Sequence, residues 1–163
     1  MKSYTMKDAC ATADEGTTHI VSYLQSIKET LNVINVENDK EYQKRDIDLI
    51  WTYTEGSKTV EIKVDNYAST GNYFFETISN VGKNTKGCFM YSEADLLFYY
   101  FLKIRELHVM PLKQVREWFI KNQGRFRTVR TSTAVNGNKY YTEGALVKRA
   151  TVEQESKVTI IKI

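Results

Sequence analysis

The sequence predicts an α/β fold, and three observations carry that prediction. Residues 6 to 31 place apolar side chains at three- and four-residue steps, as one face of a helix requires. A series of short stretches after residue 31 alternates apolar with polar side chains, as half-buried strands do. Pro111 then stands where the first turn of a second helix takes a proline, between strand candidates on either side.

The elements follow in chain order. Met6, Ala9, Cys10, Ala13, Thr17, Ile20, Leu24, Ile27 and Leu31 form the stripe of the first helix, with Gly16 a weak point inside it. Asn32 to Glu37 is a first strand candidate, followed by the polar connection NDKEYQK. Asp46 to Thr54 and Thr59 to Asp65 each alternate, and residues 72 to 79 are strand-like. Residues 96 to 102 and 106 to 110 make a hairpin turning near Lys103 to Arg105. The helix opened by Pro111 shows Leu112, Val115, Trp118 and Phe119 on its apolar side, and Gly124 suits its C-terminal cap. Further strand candidates lie at 126 to 131, 139 to 147 and 157 to 163, with an Asn-Gly turn signal in NGNK at 136 to 139.

Composition narrows the function classes. At 163 residues the chain is expected to be a single domain, 1–163, with a basic C-terminal portion at 113–163. One proline and 8 glycines argue against a disordered or collagen-like chain. No apolar run reaches the roughly 18 residues of a membrane span, and MKSYTMKDACATADEG lacks the apolar core of a secretory signal. Cys10 and Cys88 stand apart with no metal-type spacing and read as small core residues of a reduced, intracellular, cytoplasmic protein. His19 and His108 have no motif partners, and neither a Walker-type loop nor a Ser/His/Asp arrangement is present.

The chemistry concentrates in DIDLIWTYTEGSKTVEIKVD, Asp46 to Asp65. A hairpin turning at Glu55-Gly56 pairs Thr54 with Ser57, so Ile50 faces Glu61 and Asp48 faces Lys63. Asp48, Ile50, Glu61 and Lys63 then share one face. Ile47, Leu49, Trp51, Tyr53, Val60, Ile62 and Val64 occupy the other and should pack on helices. Asp48 and Glu61 are diagonal neighbours about 7–8 Å apart, close enough for both carboxylates to lean onto one Mg²⁺ or Mn²⁺. Lys63 points the same way and is placed to orient a water or stabilise a pentavalent phosphate. The plain alternative is a charged face in water with Lys63 as a salt bridge. Asp46 and Asp65 oppose each other one rung beyond the Asp48–Lys63 pair, and a register slip of one pair changes the ranking of Asp46 against Asp48. Glu76 shares a face with Phe74 and Ile78, where it either extends the metal site, holds Lys63, or sits at an edge in water.

The order Asp48, then Glu61-Ile62-Lys63 on the next strand, after an initial helix, resembles the PD-(D/E)XK nuclease superfamily. That resemblance implies a restriction-endonuclease-like core, a mixed central β-sheet flanked by helices. It implies Asp48, Glu61 and the carbonyl of Ile62 as metal ligands and Lys63 as the catalytic lysine. Ile47 stands where the family name has proline. A further acid on the first helix is common in that superfamily, which makes Glu15, or Asp14 beside it, a candidate; the alternative is a solvated first-turn acid favoured by the helix dipole. A stretch bearing Thr70, Gly71, Asn72, Glu76, Gly82, Gly87, Ala94 and Asp95 is similar to phage and mobile-element members of the superfamily, over about residues 10 to 120. The resemblance therefore implies a Mg²⁺- or Mn²⁺-dependent DNA endonuclease of a phage or mobile element, a junction resolvase among the options. It acts inside a cell, the host's if viral, with a homo-oligomer plausible. The alternative on the same fold is a non-catalytic nucleic-acid-binding protein, and a protein-interaction module is a third reading.

The basic stretch supports a DNA partner. Between residues 113 and 149, Lys113, Arg116, Lys121, Arg125, Arg127, Arg130, Lys139, Lys148 and Arg149 stand against Glu117 and Glu143 alone, a net +7 within a chain of net +3. The rest of the chain is then −4 and holds the acids. Arg125, Arg127, Arg130, Lys139, Lys148 and Arg149 are the expected phosphate contacts.

Overall fold

A computed structural model describes residues 6–135 and 138–163; the Asn136-Gly137 turn signal lies outside them. The order is α1 (Met6–Ser26), β1 (Thr30–Asn35), α2 (Lys40–Lys44), β2 (Leu49–Tyr53), β3 (Gly56–Asp65), β4 (Asn72–Asn80), β5 (Thr85–Lys86) and α3 (Cys88–Tyr91). Then come β6 (Leu96–Phe101), β7 (Glu106–Pro111), α4 (Leu112–Asn122), β8 (Arg127–Val135), β9 (Asn138–Lys148), α5 (Arg149–Glu155) and β10 (Thr159–Lys162). The fold is α/β. A six-stranded sheet runs β1-β2-β3-β6-β7-β10, and a four-stranded sheet runs β5-β4-β9-β8. The larger sheet is mixed, because β3 and β6 pair in parallel while its other neighbours are antiparallel.

Parallel pairing requires a long crossover, and the chain between β3 and β6 supplies β4, β5 and α3. That excursion carries the chain across one face of the larger sheet. There Tyr73 and Phe75 of β4 and Ala145 and Val147 of β9 meet Tyr99, Phe101 and Met110 of the larger sheet and Val115 and Phe119 of α4 in one buried cluster. The opposite face of the larger sheet is covered by α1, where Ile20 and Leu24 pack with Leu49, Val60, Phe98, Tyr100 and Leu107. The central strands β6 and β7 thus have apolar side chains toward both layers, as strands covered on both sides require.

Gly16 is the point at which α1 closes on the sheet. A Cβ there would lie 2.4 Å from Val64 Cγ2, so a larger residue would push helix and strand apart. The helix ends at Ser26 and β1 begins at Thr30, earlier than the apolar stripe through Leu31 suggests; Leu31 is 66 % exposed. Pro111 caps α4 rather than opening it, since it is also the last residue of β7. Gly124 lies in a 3₁₀ turn, Gln123–Arg125, that continues the helix, so no left-handed glycine ends it. Three short helices, α2, α3 and α5, escape periodicity. In α2 no residue is buried, and Asp39 caps it by accepting from the Glu41 N–H at 2.9 Å; α5 buries Val152 alone. No helix among the described residues is long and apolar enough to cross a membrane.

Candidate metal centre

The site begins with the register of β2 and β3. Tyr53 pairs with Gly56, so the loop is Thr54-Glu55 and not the expected Glu55-Gly56. Gly56 has a φ of 154°, which side chains rarely adopt, and it serves as the first strand residue after the loop. The whole ladder moves by one pair, giving Ile50–Thr59 and Leu49–Val60 in place of the expected Ile50–Glu61 and Asp48–Lys63 pairs. Faces are preserved because the shift keeps the alternation. Neighbours change, and Asp48 now stands opposite Glu61.

The ladder between β2 and β3 ends at Leu49–Val60, leaving the Ile62 N–H without a strand partner on that side. Asp48 Oδ2 takes that N–H at 2.7 Å, and the Asp48 N–H donates to the Val60 carbonyl at 2.9 Å. Ile62 thus serves the pair through its N–H. Across the pair, the Asp48 charge acts on Glu61.

Asp46 turns the chain into β2 with a left-handed φ of 53°, a conformation Asp and Asn tolerate best. The segment after α3 fixes it: Ser92 Oγ donates to the Asp46 carbonyl at 2.8 Å, and the Tyr91 hydroxyl donates to Asp46 Oδ1 at 3.2 Å. Arg116 of α4 holds α3 in turn, donating to the Phe89 carbonyl at 2.7 Å and the Ser92 carbonyl at 2.6 Å. A chain of contacts from α4 through α3 therefore brings Asp46 to the acids of the hairpin. Because this bend redirects the residue that follows, Ile47 joins the core beneath α4, apart from Leu49, Trp51 and Val60, with which alternation grouped it and which pack under α1.

The electrostatics are those of crowded carboxylates. Burial, then the Asp48 charge, pushes the Asp46 carboxyl up to about 6. Burial raises Asp48 as well, opposed by the Ile62 N–H and by Glu61. Glu61, only 7 % exposed, is raised well above the usual carboxylate range by burial and by Asp48 and Asp46, with Lys63 opposing. Asp46 Oδ2 and Glu61 Oε2 are both buried with no hydrogen-bond partner. Ligand atoms of Asp46, Glu61 and Cys88 lie within 4.8 Å of one another. Buried polar atoms almost always find partners, so orphaned oxygens on two carboxylates of one cluster fit a cation held among them. The donor set suits it: hard oxygens from Asp46, Asp48 and Glu61 match Mg²⁺ or Mn²⁺.

Beside the acids opens a cleft of about 720 Å³, lined by Lys63 and Glu76 together with Tyr67, Thr70, Asn72 and Phe74, by Thr131 and Thr133 of β8, and by Tyr140 and Thr142 of β9. Glu76 acts electrostatically on both Asp46 and Cys88, so it borders the centre. Asp65 also lines the cleft, but its carboxylate accepts from the Tyr99 hydroxyl at 2.5 Å and the Tyr67 N–H at 2.6 Å. Glu15 does not line the cleft, although Ala9, Thr12 and Ala13 of the same helix do; it is exposed on α1, and its electrostatic neighbour is Tyr100.

The expected phosphate contacts divide. Arg125 is paired with Glu155 through two hydrogen bonds of 2.7 and 2.8 Å, and Arg130 with Glu143 at 2.8 Å. Arg149 donates to the Ala68 carbonyl at 2.9 Å and stacks 4.8 Å above the Phe101 ring. Arg127, Lys139 and Lys148 are exposed. Register puts Arg127 opposite Leu146, and Lys148 opposite Asn72, so both stand on the strand faces that line the cleft; Lys139, opposite Ala134, alternates to the other face. Residue patterns missed Cys88 and the supporting Tyr91 and Arg116, whose positions depend on where α3 lands. The one usable signal was the sensitivity of Asp46 to register. Comparisons with family models, with curated proteins and with solved structures find no match to this chain.

Proposed function

We propose that the chain is a metal-dependent nuclease that hydrolyses DNA phosphodiester bonds, acting at the centre formed by Asp46, Asp48 and Glu61. The pair of orphaned buried oxygens, Asp46 Oδ2 and Glu61 Oε2, carries this reading. It is supported by the side chains that border the acids, since Lys63 and Glu76 both line the adjoining cleft. The PD-(D/E)XK-like order of Asp48, Glu61 and Lys63 agrees with it.

Asp48, Glu61 and Asp46 would hold the cation. Bound there, Mg²⁺ or Mn²⁺ supplies Lewis-acid polarisation of a phosphoryl oxygen and acidifies water. The remaining roles fall to the chain itself. The Lys63 ammonium faces the cleft and neutralises charge developing on the phosphate. Asp48 is held by the Ile62 N–H, so its free oxygen keeps one direction. The hydroxyls of Thr131 and Thr133 line the path of a backbone and donate to phosphate oxygens without reading sequence. Arg127 and Lys148 add charge on the same strand faces. A homodimer would let two such centres address two strands, and sedimentation or light scattering measures that directly.

The test is a cleavage panel with Mg²⁺ or Mn²⁺ on linear duplex, single-stranded, flap and four-way junction DNA. Cation-dependent cleavage should appear in the native chain and fall about a hundredfold or more in Lys63→Ala. Equal cleavage by the variant, or none by the native chain on any substrate with either cation, would reject the nuclease reading.

A further inference from the structure

We infer that Cys88 is a further protein ligand at the centre, so that Asp46, Glu61 and Cys88 together take a thiophilic divalent cation of the Zn²⁺ and Cd²⁺ class. The inference rests on the reading that Glu61 faces a cation, and it goes beyond that reading by naming a donor and a metal class that the order Asp48, Glu61, Lys63 does not contain.

Two independent observations support it. Cys88 Sγ and one oxygen each of Asp46 and Glu61 lie within 4.8 Å of one another, a spacing that a single ion can bridge with small side-chain adjustments. The second is Glu61 itself, 7 % exposed, with Oε2 buried and lacking any hydrogen-bond partner. The thiol is placed by backbone and not by chance packing. Cys88 opens α3 directly after Gly87, whose own Cβ would lie 2.5 Å from the Glu76 carbonyl, so that close approach of α3 to β4 needs glycine. Arg116 then clamps the far end of α3 through the Phe89 and Ser92 carbonyls.

Donor chemistry gives the selectivity. Thiolate favours Zn²⁺ and Cd²⁺ strongly over Mg²⁺, whereas carboxylates alone favour hard ions. Binding replaces the thiol proton with the metal, so one proton leaves Cys88 for solvent as the S–metal bond forms. Asp46 and Glu61 are common to this donor set and to the Asp46, Asp48 and Glu61 centre. A thiophilic ion therefore competes with Mg²⁺ or Mn²⁺ for the same two carboxylates.

The experiment titrates the full, metal-free chain with Cd²⁺ and reads the ultraviolet sulfur-to-cadmium charge-transfer band. A saturable band of one equivalent is expected, unchanged in Cys10→Ser and absent in Cys88→Ser, with affinity reduced about tenfold or more in Asp46→Asn. In the native chain, Cd²⁺ should also protect Cys88 and not Cys10 from alkylation, read by peptide mass spectrometry, which needs no variant to fold. A band that survives Cys88→Ser, or a Cys88 alkylated at the same rate with and without Cd²⁺, would overturn the assignment. Mn²⁺-dependent cleavage by the native chain with no cadmium band would sink the cysteine ligand and leave the nuclease reading standing. A cadmium band without cleavage on any DNA would do the reverse.

Discussion

The acid cluster between β2, β3 and α3 and the cationic stretch from Lys113 to Lys162 are both dense in charge, yet the fold treats them differently. In the first, like charges are buried together and left short of partners: Asp46 Oδ2 and Glu61 Oε2 bond to nothing. In the second, opposite charges are matched. Arg125 has Glu155, Arg130 has Glu143, and Arg149 has the Ala68 carbonyl and the Phe101 ring. Leaving buried carboxylates unmatched costs stability, and such sites persist where the mismatch serves binding. A run of cations in sequence carries no such message, because strand alternation sends successive side chains to opposite faces.

The largest contrast should come from activity. Glu61→Gln is expected to lower Mn²⁺-dependent cleavage about a hundredfold or more, while Arg125→Ala stays within about fivefold, since an exposed ion pair contributes little. Comparable losses in initial-rate assays would break the distinction between the two regions. Next comes the clamp on α3. Arg116→Ala strands the Phe89 and Ser92 carbonyls and should destabilise the chain by about 2 kcal/mol in urea unfolding, while weakening cation affinity. Retained affinity in that variant would mean that α3 does not position the centre.

Asp46→Asn should act in the opposite direction. Asn accepts the φ of 53° and removes a charge that burial and Asp48 disfavour, so the metal-free chain should gain about 1 kcal/mol at neutral pH. The same variant should lose most of the rise in melting temperature that Mn²⁺ gives the native chain. A destabilised metal-free variant would show that the carboxylate is already satisfied.

His108 tests the matched region. It is 1 % exposed, with the Tyr73 hydroxyl 2.6 Å from Nδ1 and Glu106 Oε2 3.3 Å from Nε2; Arg149 and Glu153 act on it from beyond, and Tyr99 faces it from β6. Burial lowers its pKa below 6.5 despite Glu106. The unfolded chain therefore binds a proton that the folded chain resists, and this contribution to stability is lost as pH falls below about 6.5. Melting temperatures between pH 7 and 5 should fall less steeply in His108→Gln than in the native chain. An unchanged slope would place the acid sensitivity elsewhere. The smallest effect belongs to the remaining cations. Arg127→Ala and Lys148→Ala should each lower the salt slope of DNA binding by about 1, and Arg130→Ala, already paired, should leave it unchanged.

Much of the frame was legible in the chain. The stripe through Ile20 and Leu24, the alternation of Leu49, Trp51, Val60 and Ile62, and the Phe98–Val109 hairpin are local periodicities, and local periodicity survives folding because it is set by backbone geometry. The face shared by Asp48, Glu61 and Lys63 was legible for the same reason. What periodicity could not give was the register. Sliding β2 past β3 by one pair preserves every face, so the pattern was silent between two answers, and the backbone at Gly56 chose the one that sets Asp48 against Glu61.

The sequence by itself determined which residue types share a strand face, and hence that two acids and a lysine would meet on one side of a hairpin. Only the tertiary structure decided that Asp46 and Cys88 join them, that Glu15 does not, and that Arg125, Arg130 and Arg149 are spent on partners of the chain itself. Those outcomes depend on where α3, α5 and the second sheet dock. Docking is fixed by contacts between residues far apart in the chain, such as Arg116 with Ser92 and Arg149 with Ala68, which no short-range pattern contains.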